Sequence, residues 1–201
     1  MEKDEFKSKV NLSIDYKATE IISQKSDEKY LTYIDAKTIA VFVGGLFMTK
    51  LKTIPPQIEA AILLAEATIS PTAAERIKLL KSAAGVAGGV GGIALIVTGV
   101  LKAIGAGSSV IIAVKTFFLG TPMLGPVGMI AGGVALATIA GYFAFSGNPQ
   151  ENSEAFLKAL KSGIGNAIDA IWPEYGDLLS KEEYPNTDGE LGMTPPDRLV
   201  E

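Results

Sequence analysis

Few residue pairs in this chain have the types and spacing to carry chemistry. Lys81-Ser82 and Lys161-Ser162 set an amine beside a hydroxyl, the minimum for a Ser–Lys nucleophile. Glu59 and Glu66 lie two helical turns apart within IEAAILLAEA, and Glu182, Glu183, Asp188 and Glu190 crowd toward the end of the chain. The run Gly89-Val90-Gly91-Gly92-Ile93-Ala94 formally matches G-x-G-x-x-A, the phosphate-cradling turn of dinucleotide sites.

None of these survives inspection of its context. Neighbouring residues on a helix point about 100° apart, so an adjacent Lys and Ser do not converge. One of Glu59 and Glu66 could face a polar cavity, with solvent exposure the simpler account, and the late acids read as solubilising charge. A dinucleotide fingerprint follows a strand and has an acid about 20 residues on. Here ERIKLLKSAAG, helical in pattern, precedes the glycines, and the next acid is Glu151. A phosphate loop ending in Gly-Lys-Ser/Thr is also missing, because Lys81-Ser82 comes before the glycines. The chain holds no His and no Cys, which removes the commonest general base, thiol chemistry and the usual zinc and iron–sulfur ligand sets. The expectation is a protein that is not an enzyme, with no catalytic, cofactor-binding or metal residues and no cofactor.

Charge is distributed unevenly. Among residues 82–150 only Lys102 and Lys115 are charged. Residues 1–53 carry 9 Lys against 8 acids, and residues 151–201 carry 4 basic against 11 acidic groups. A net charge of −4 without a basic patch argues against a nucleic-acid partner. MEKDEFKSKV is charged with no apolar run behind it, unlike a secretory signal. Mean hydropathy is +0.30, high for a water-soluble domain.

The elements that would position these residues are all helical. Phe6, Val10, Ile14, Ala18, Ile21 and Ile22 give an amphipathic helix over 4–30. A second helix covers 35–52, where the uncharged TIAVFVGGLFMT is too short to span a bilayer and reads as buried or interfacial. Pro56 opens a third, ending near Thr68. Ser70 as N-cap and Pro71 at the first position open a fourth, with nothing to forbid its running to 104. Asn148-Pro149 precedes an amphipathic helix capped by Ser153, carrying Phe156, Leu160, Ile164, Ala167, Ile168 and Ile171 on one face and ended by Trp172-Pro173. From Lys181 the composition predicts disorder.

The 20 residues between Lys81 and Lys102 make about 30 Å of helix, the thickness of a hydrocarbon core. Residues 127–145 form a second uncharged run with Tyr142 near its far end. Both carry small residues at four-residue steps: Gly85–Gly89 and Ala84–Gly88–Gly92 in the first, Gly128–Gly132 and Gly133–Ala137–Gly141 in the second. Such stripes let helix backbones approach closely where lipid supplies no hydrophobic drive.

The sequence therefore predicts an all-α fold with a two-helix apolar hairpin, transmembrane in character. The hairpin occupies 82–147, between an N-terminal amphipathic region (1–81) and a C-terminal helix (148–180) with an acidic tail (181–201). Lys81, Lys102, Lys115 and Tyr142 would mark the membrane boundary. The implied partners are a lipid bilayer and either a second copy or another membrane protein. The implied location is the inner or cytoplasmic membrane with both termini cytoplasmic. The expected role is a small non-enzymatic integral membrane protein that oligomerises or scaffolds partners through close helix packing. Two alternatives share these features: a membrane-inserting pore-former whose soluble form hides the hairpin, and a soluble helical module that binds a partner or lipid in an apolar groove. In layout alone, amphipathic helices followed by a long uncharged hairpin, the chain resembles pore-forming colicin domains.

Overall fold

In the computed structural model, residues 1–27, 29–87, 93–103, 105 and 148–181 are described. Every regular element among them is a helix: α1 (Lys3–Ser23), α2 (Tyr33–Leu51), α3 (Pro56–Ile69), α4 (Ala73–Ala87), α5 (Ile93–Ala103) and α6 (Pro149–Leu179). The all-α expectation holds for them, and none is long and apolar enough to cross a membrane.

The stripe Phe6, Val10, Ile14, Ala18 is buried as the spacing requires, and Asp4 and Glu5 occupy the first turn of α1, where the helix dipole favours acids. The helix stops at Ser23 rather than near 30. From 23 to 29 the sequence has no apolar residue, so there is no stripe left to bury. The chain instead turns back, with the Lys25 ammonium donating to the Tyr30 carbonyl and to the Asp35 carboxylate. Asp35 and Thr32 form a capping box that starts α2. Burial alone would raise the Asp35 carboxyl. The Lys25 ammonium and the Thr32 amide and hydroxyl outweigh it and hold the group below the usual carboxylate range. Lys52 closes α2 in the left-handed conformation, φ 62°.

α3 lies at the centre of the bundle and has ten of its 14 residues buried. Ala60, Ala61, Ala65 and Ala67 keep it thin, so α6 and α4 can pack on it extensively and α2 and α5 can reach it as well. At the start of α4 the Thr72 hydroxyl accepts from the Glu75 amide (3.2 Å), so Thr72, not Ser70, is the capping residue. Ser70 is fully buried as the last residue of the α3 junction. The uninterrupted helix expected over 71–104 is described as α4 and α5, with 88–92 outside the described residues.

α6 departs from expectation at both ends. It begins at Pro149, with the Asn148 side chain accepting from the Gln150 amide at 3.0 Å. Ser153 is already a helical, buried residue, and its hydroxyl accepts from the Leu31 amide (3.0 Å). At the other end α6 continues through Pro173, which costs a backbone hydrogen bond and crowds the carbonyl one turn back, about 3 kcal/mol. Tertiary contacts outweigh that cost. Trp172 packs on Phe6 with ring centroids 5.8 Å apart, and Leu179 is buried. Lys50, from α2, donates to the carbonyls of Leu179 (3.0 Å) and Lys181 (2.6 Å). A cation from another helix thus completes a C-terminus whose own last turn has no basic residue.

α1 and α6 run antiparallel, and charge fixes their register. Lys7 meets Asp169 at 2.6 Å, Lys3 meets the same carboxylate at 2.9 Å, and Lys161 meets Asp15 at 2.8 Å. Lys7 and Asp15 are eight residues apart on α1, and Lys161 and Asp169 eight apart on α6, in opposite order. Burial pushes Asp169 up, but Lys7 and Lys3 outweigh it and hold its pKa below normal.

Candidate functional site

Two places in the bundle bring unusual residues together. The first is the crossing of α5 and α6 over α3. Phe156, Leu160, Gly163, Ile164, Ala167 and Ile171 form the buried stripe of α6. Gly163 therefore sits on the packed face. A Cβ placed there would lie 2.9 Å from Val100 Cγ2 and 3.2 Å from Ala61 Cβ, inside ordinary contact distance. On the facing helix, a Cβ at Gly99 would collide with Asn166 Nδ2 and lie 3.1 Å from Ser162 Oγ. α5 belongs to the apolar stretch, and Ile96, Val97 and Val100 are buried here. Its close approach is thus to an amphipathic helix with polar residues at the edge of the contact.

The second place is a polar junction where the start of α2, the end of α3 and the start of α4 meet. The Tyr33 hydroxyl donates to Glu75 Oε1 at 2.9 Å, and Lys37 lies 3.8 Å from the same oxygen and over the Tyr33 ring (4.6 Å to the centroid). Glu66 is buried beside them at 9 % exposure, and Arg76 is buried as well. Burial raises the Glu66 pKa; Lys37 opposes that and Glu75 adds to it. Burial, the hydrogen bond to Glu75 and the charges of Glu75 and Glu66 raise the Tyr33 phenol. The simple account of Glu66 as solvent-exposed is corrected: Glu59 faces solvent, while Glu66 falls on the core side of the central helix. The junction ties α2 to α4.

The Ser–Lys pairs are not brought into any catalytic arrangement. Lys81 and Ser82 are both exposed on α4. Lys161 is engaged with Asp15, and Ser162 flanks Gly99. Among the described residues no group of His, Cys, Asp or Glu is arranged to hold a metal.

Of the residues expected to pack helices closely, Ala84 is half-buried and Gly85 is exposed, with open space around the position of a Cβ. Gly88, Gly89, Gly92, Gly128, Gly132, Gly133, Ala137 and Gly141 lie outside the described residues. Of the boundary residues, Lys81 and Lys102 are exposed on α4 and α5, and Lys115 and Tyr142 lie outside the described residues. The acids Glu182, Glu183, Asp188 and Glu190 lie outside them too.

The close helix-to-helix contacts at described glycines fall on Gly99 and Gly163, which the pattern of four-residue steps did not select. A signal for Gly163 was present: it shares the stripe of Leu160, Ile164 and Ala167, whereas Gly165 points away from it and has open space at its Cβ.

The described residues thus define an all-helical bundle with a small-residue crossing and an ion-paired outer seam. No family model matches the chain, and neither a curated protein nor a solved structure matches it.

Proposed function

We propose that this is a non-enzymatic, membrane-inserting helical protein whose packed bundle shelters part of an apolar hairpin, about 82–104 and 126–145, until it meets a bilayer. The observation that carries the reading is the docking of α5. This half of the first apolar stretch packs on α3 and α6 at the Gly99–Gly163 crossing. Around it the bundle exposes ion pairs such as Lys3–Asp169 and Lys161–Asp15. A helix built from IALIVTGVLKA gains from either environment, lipid or protein core, so modest changes in the crossing can shift it between them.

The two long uncharged runs, with lysines or an aromatic at their ends, support insertion as the second state. They equally support a constitutive integral membrane protein that oligomerises or scaffolds a partner through close helix packing, located in the cytoplasmic membrane with both termini cytoplasmic. The ion-paired exterior of the bundle favours the sheltered form over that second reading.

Expression of the full chain without detergent, followed by fractionation and dye release from liposomes, separates the readings. The proposed function predicts recovery in the supernatant and dye release on mixing with vesicles. Exclusive recovery in membranes, resistant to carbonate, replaces it with the constitutive reading. A soluble protein that leaves vesicles intact would be a helical binding module instead.

A further inference from the structure

α2 has one face in the core and one in solvent, and the solvent face is unusual. Ala36, Ile39, Ala40, Val43, Gly44 and Phe47 point inward. On the opposite side Ile34 and Val41 are each 76 % exposed and Met48 45 %. Their spacing of seven residues places them along one line of the helix, about 21 Å long. Thr38 and Gly45 fill the gaps between them and are exposed too, with open space at the Gly45 Cβ position.

The exposed charge on this helix has one sign. The only charged residue among the exposed positions of α2 is Lys37, and exposed Lys52 follows at the C-cap. The nearby carboxylates are engaged: Asp35 with Lys25 and Thr32, Glu75 with Tyr33 and Lys37. An apolar line bordered by exposed ammonium groups, Lys37 shared with Glu75 at 3.8 Å and Lys52 at the C-cap, with no exposed carboxylate on the helix, complements a surface that is apolar within and anionic at its rim.

We infer that the outer face of α2, along Ile34, Val41 and Met48 with Lys37 and Lys52 at its border, is a docking surface for an anionic lipid bilayer. This deepens the membrane-inserting reading and rests on it for its biological setting. The three apolar side chains would enter the headgroup–acyl boundary while the lysines meet lipid phosphates. The helix would lie in the interface plane without crossing the bilayer, since its uncharged run of 12 residues is too short for that. The same surface would bring the bundle to the membrane before any apolar segment leaves it.

Flotation of the full chain with vesicles tests this, using phosphatidylglycerol mixed with phosphatidylcholine and, in parallel, phosphatidylcholine alone. The wild type should float with the anionic vesicles, less with the neutral ones, and less as salt is added. Val41→Glu should weaken binding to anionic vesicles by about tenfold or more, and Lys37→Gln by about fivefold, the worth of one interfacial charge. Leu12→Glu, on an exposed position of α1, should bind as the wild type does. Because position 41 is exposed, unchanged helix content and unfolding midpoint in Val41→Glu exclude a folding defect.

Wild-type binding by Val41→Glu would overturn the inference, as would loss of self-association in place of lipid binding, which would assign the face to a second copy. The two proposals fail separately. Vesicle binding through α2 without dye release overturns the proposed function alone. Dye release that Val41→Glu leaves intact overturns the docking surface alone.

Discussion

α6 is gripped from two sides by different physics. Toward α1 it presents Lys161 and Asp169, partly solvated, which pair with Asp15 and with Lys3 and Lys7 above the buried stripe of α1. Toward α5 and α3 it presents Gly163 and the edge of Asn166, with no room for a methyl group. The first seam has polar partners that water or protons can replace, so it should yield gradually to salt and acid. The second rests on apolar burial and steric fit without ion pairs, so it should tolerate ions and fail sharply when a few atoms are added or when a competing apolar environment appears. If α5 is the part that leaves the bundle, the seam without charges is the one that must open.

The largest expected effect is steric. Gly163→Leu should destabilise the bundle by about 3 kcal/mol, since Val100 and Ala61 both stand in the way of the new side chain. Denaturant unfolding reads this directly, and a loss below 1 kcal/mol would show that the crossing is loose. A neighbouring control sharpens the point. Gly165→Ala, with open space at its Cβ, should stabilise by about 0.5–1 kcal/mol through helix propensity. If Gly163→Ala and Gly165→Ala move stability in the same direction, packing is not what sets glycine at 163.

The charged seam should respond less. Asp15→Asn and Asp169→Asn should each cost about 0.5–1 kcal/mol, because the pairs are partly exposed, and the cost should shrink in high salt. Its pH dependence has a definite sign. Asp169 and Asp35 both have folded pKa values below normal, so their contributions are full above the unfolded value of about 3.9 and are lost as pH falls through the folded values. The unfolding midpoint of the wild type should fall in that window, and that of Asp169→Asn should fall less.

The smallest effect runs the other way. The raised pKa of Glu66 means that the folded protein prefers it neutral, so its cost is present at neutral pH and relieved in acid. Glu66→Gln should therefore raise the melting temperature slightly at pH 7 and leave it unchanged below the normal Glu range of about 4.3. A lower melting temperature at pH 7 would show that the buried carboxylate holds the α2–α4 junction together.

The charged seam was half legible in the sequence. The stripe Phe6–Val10–Ile14–Ala18 is a local pattern and was read as such. The pairing of Lys7 with Asp169 spans most of the chain and leaves no local trace. The end of α6 was misread for a related reason. Trp172-Pro173 is a strong local stop, but Phe6 and Lys50, distant in sequence, hold the helix together beyond it. The central position of α3 was equally hidden, because an alanine-rich helix looks the same at a surface and in a core until its neighbours are known, and Glu66 was misplaced with it. The crossing was legible in principle, and most of the glycines named for it lie outside the described residues. Close helix packing by glycine was expected, but it was sought within the apolar runs, where periodicity is obvious. Among the described residues it is found at Gly99, in such a run and set against Ser162 and Asn166, and at Gly163, on an amphipathic helix and set against Val100 and Ala61.

The absence of cysteine allows a direct test of whether α5 must leave. With Gly99→Cys and Asn166→Cys together, the sulfur at 166 would take the place of Asn166 Cγ, which lies 3.1 Å from the Cβ position at 99, within reach of a disulfide. Liposome dye release by this variant, oxidised and then reduced, is the measurement. The account predicts no release while the disulfide ties α5 to α6 and recovery of release on reduction. Undiminished release from the fully oxidised protein would contradict it.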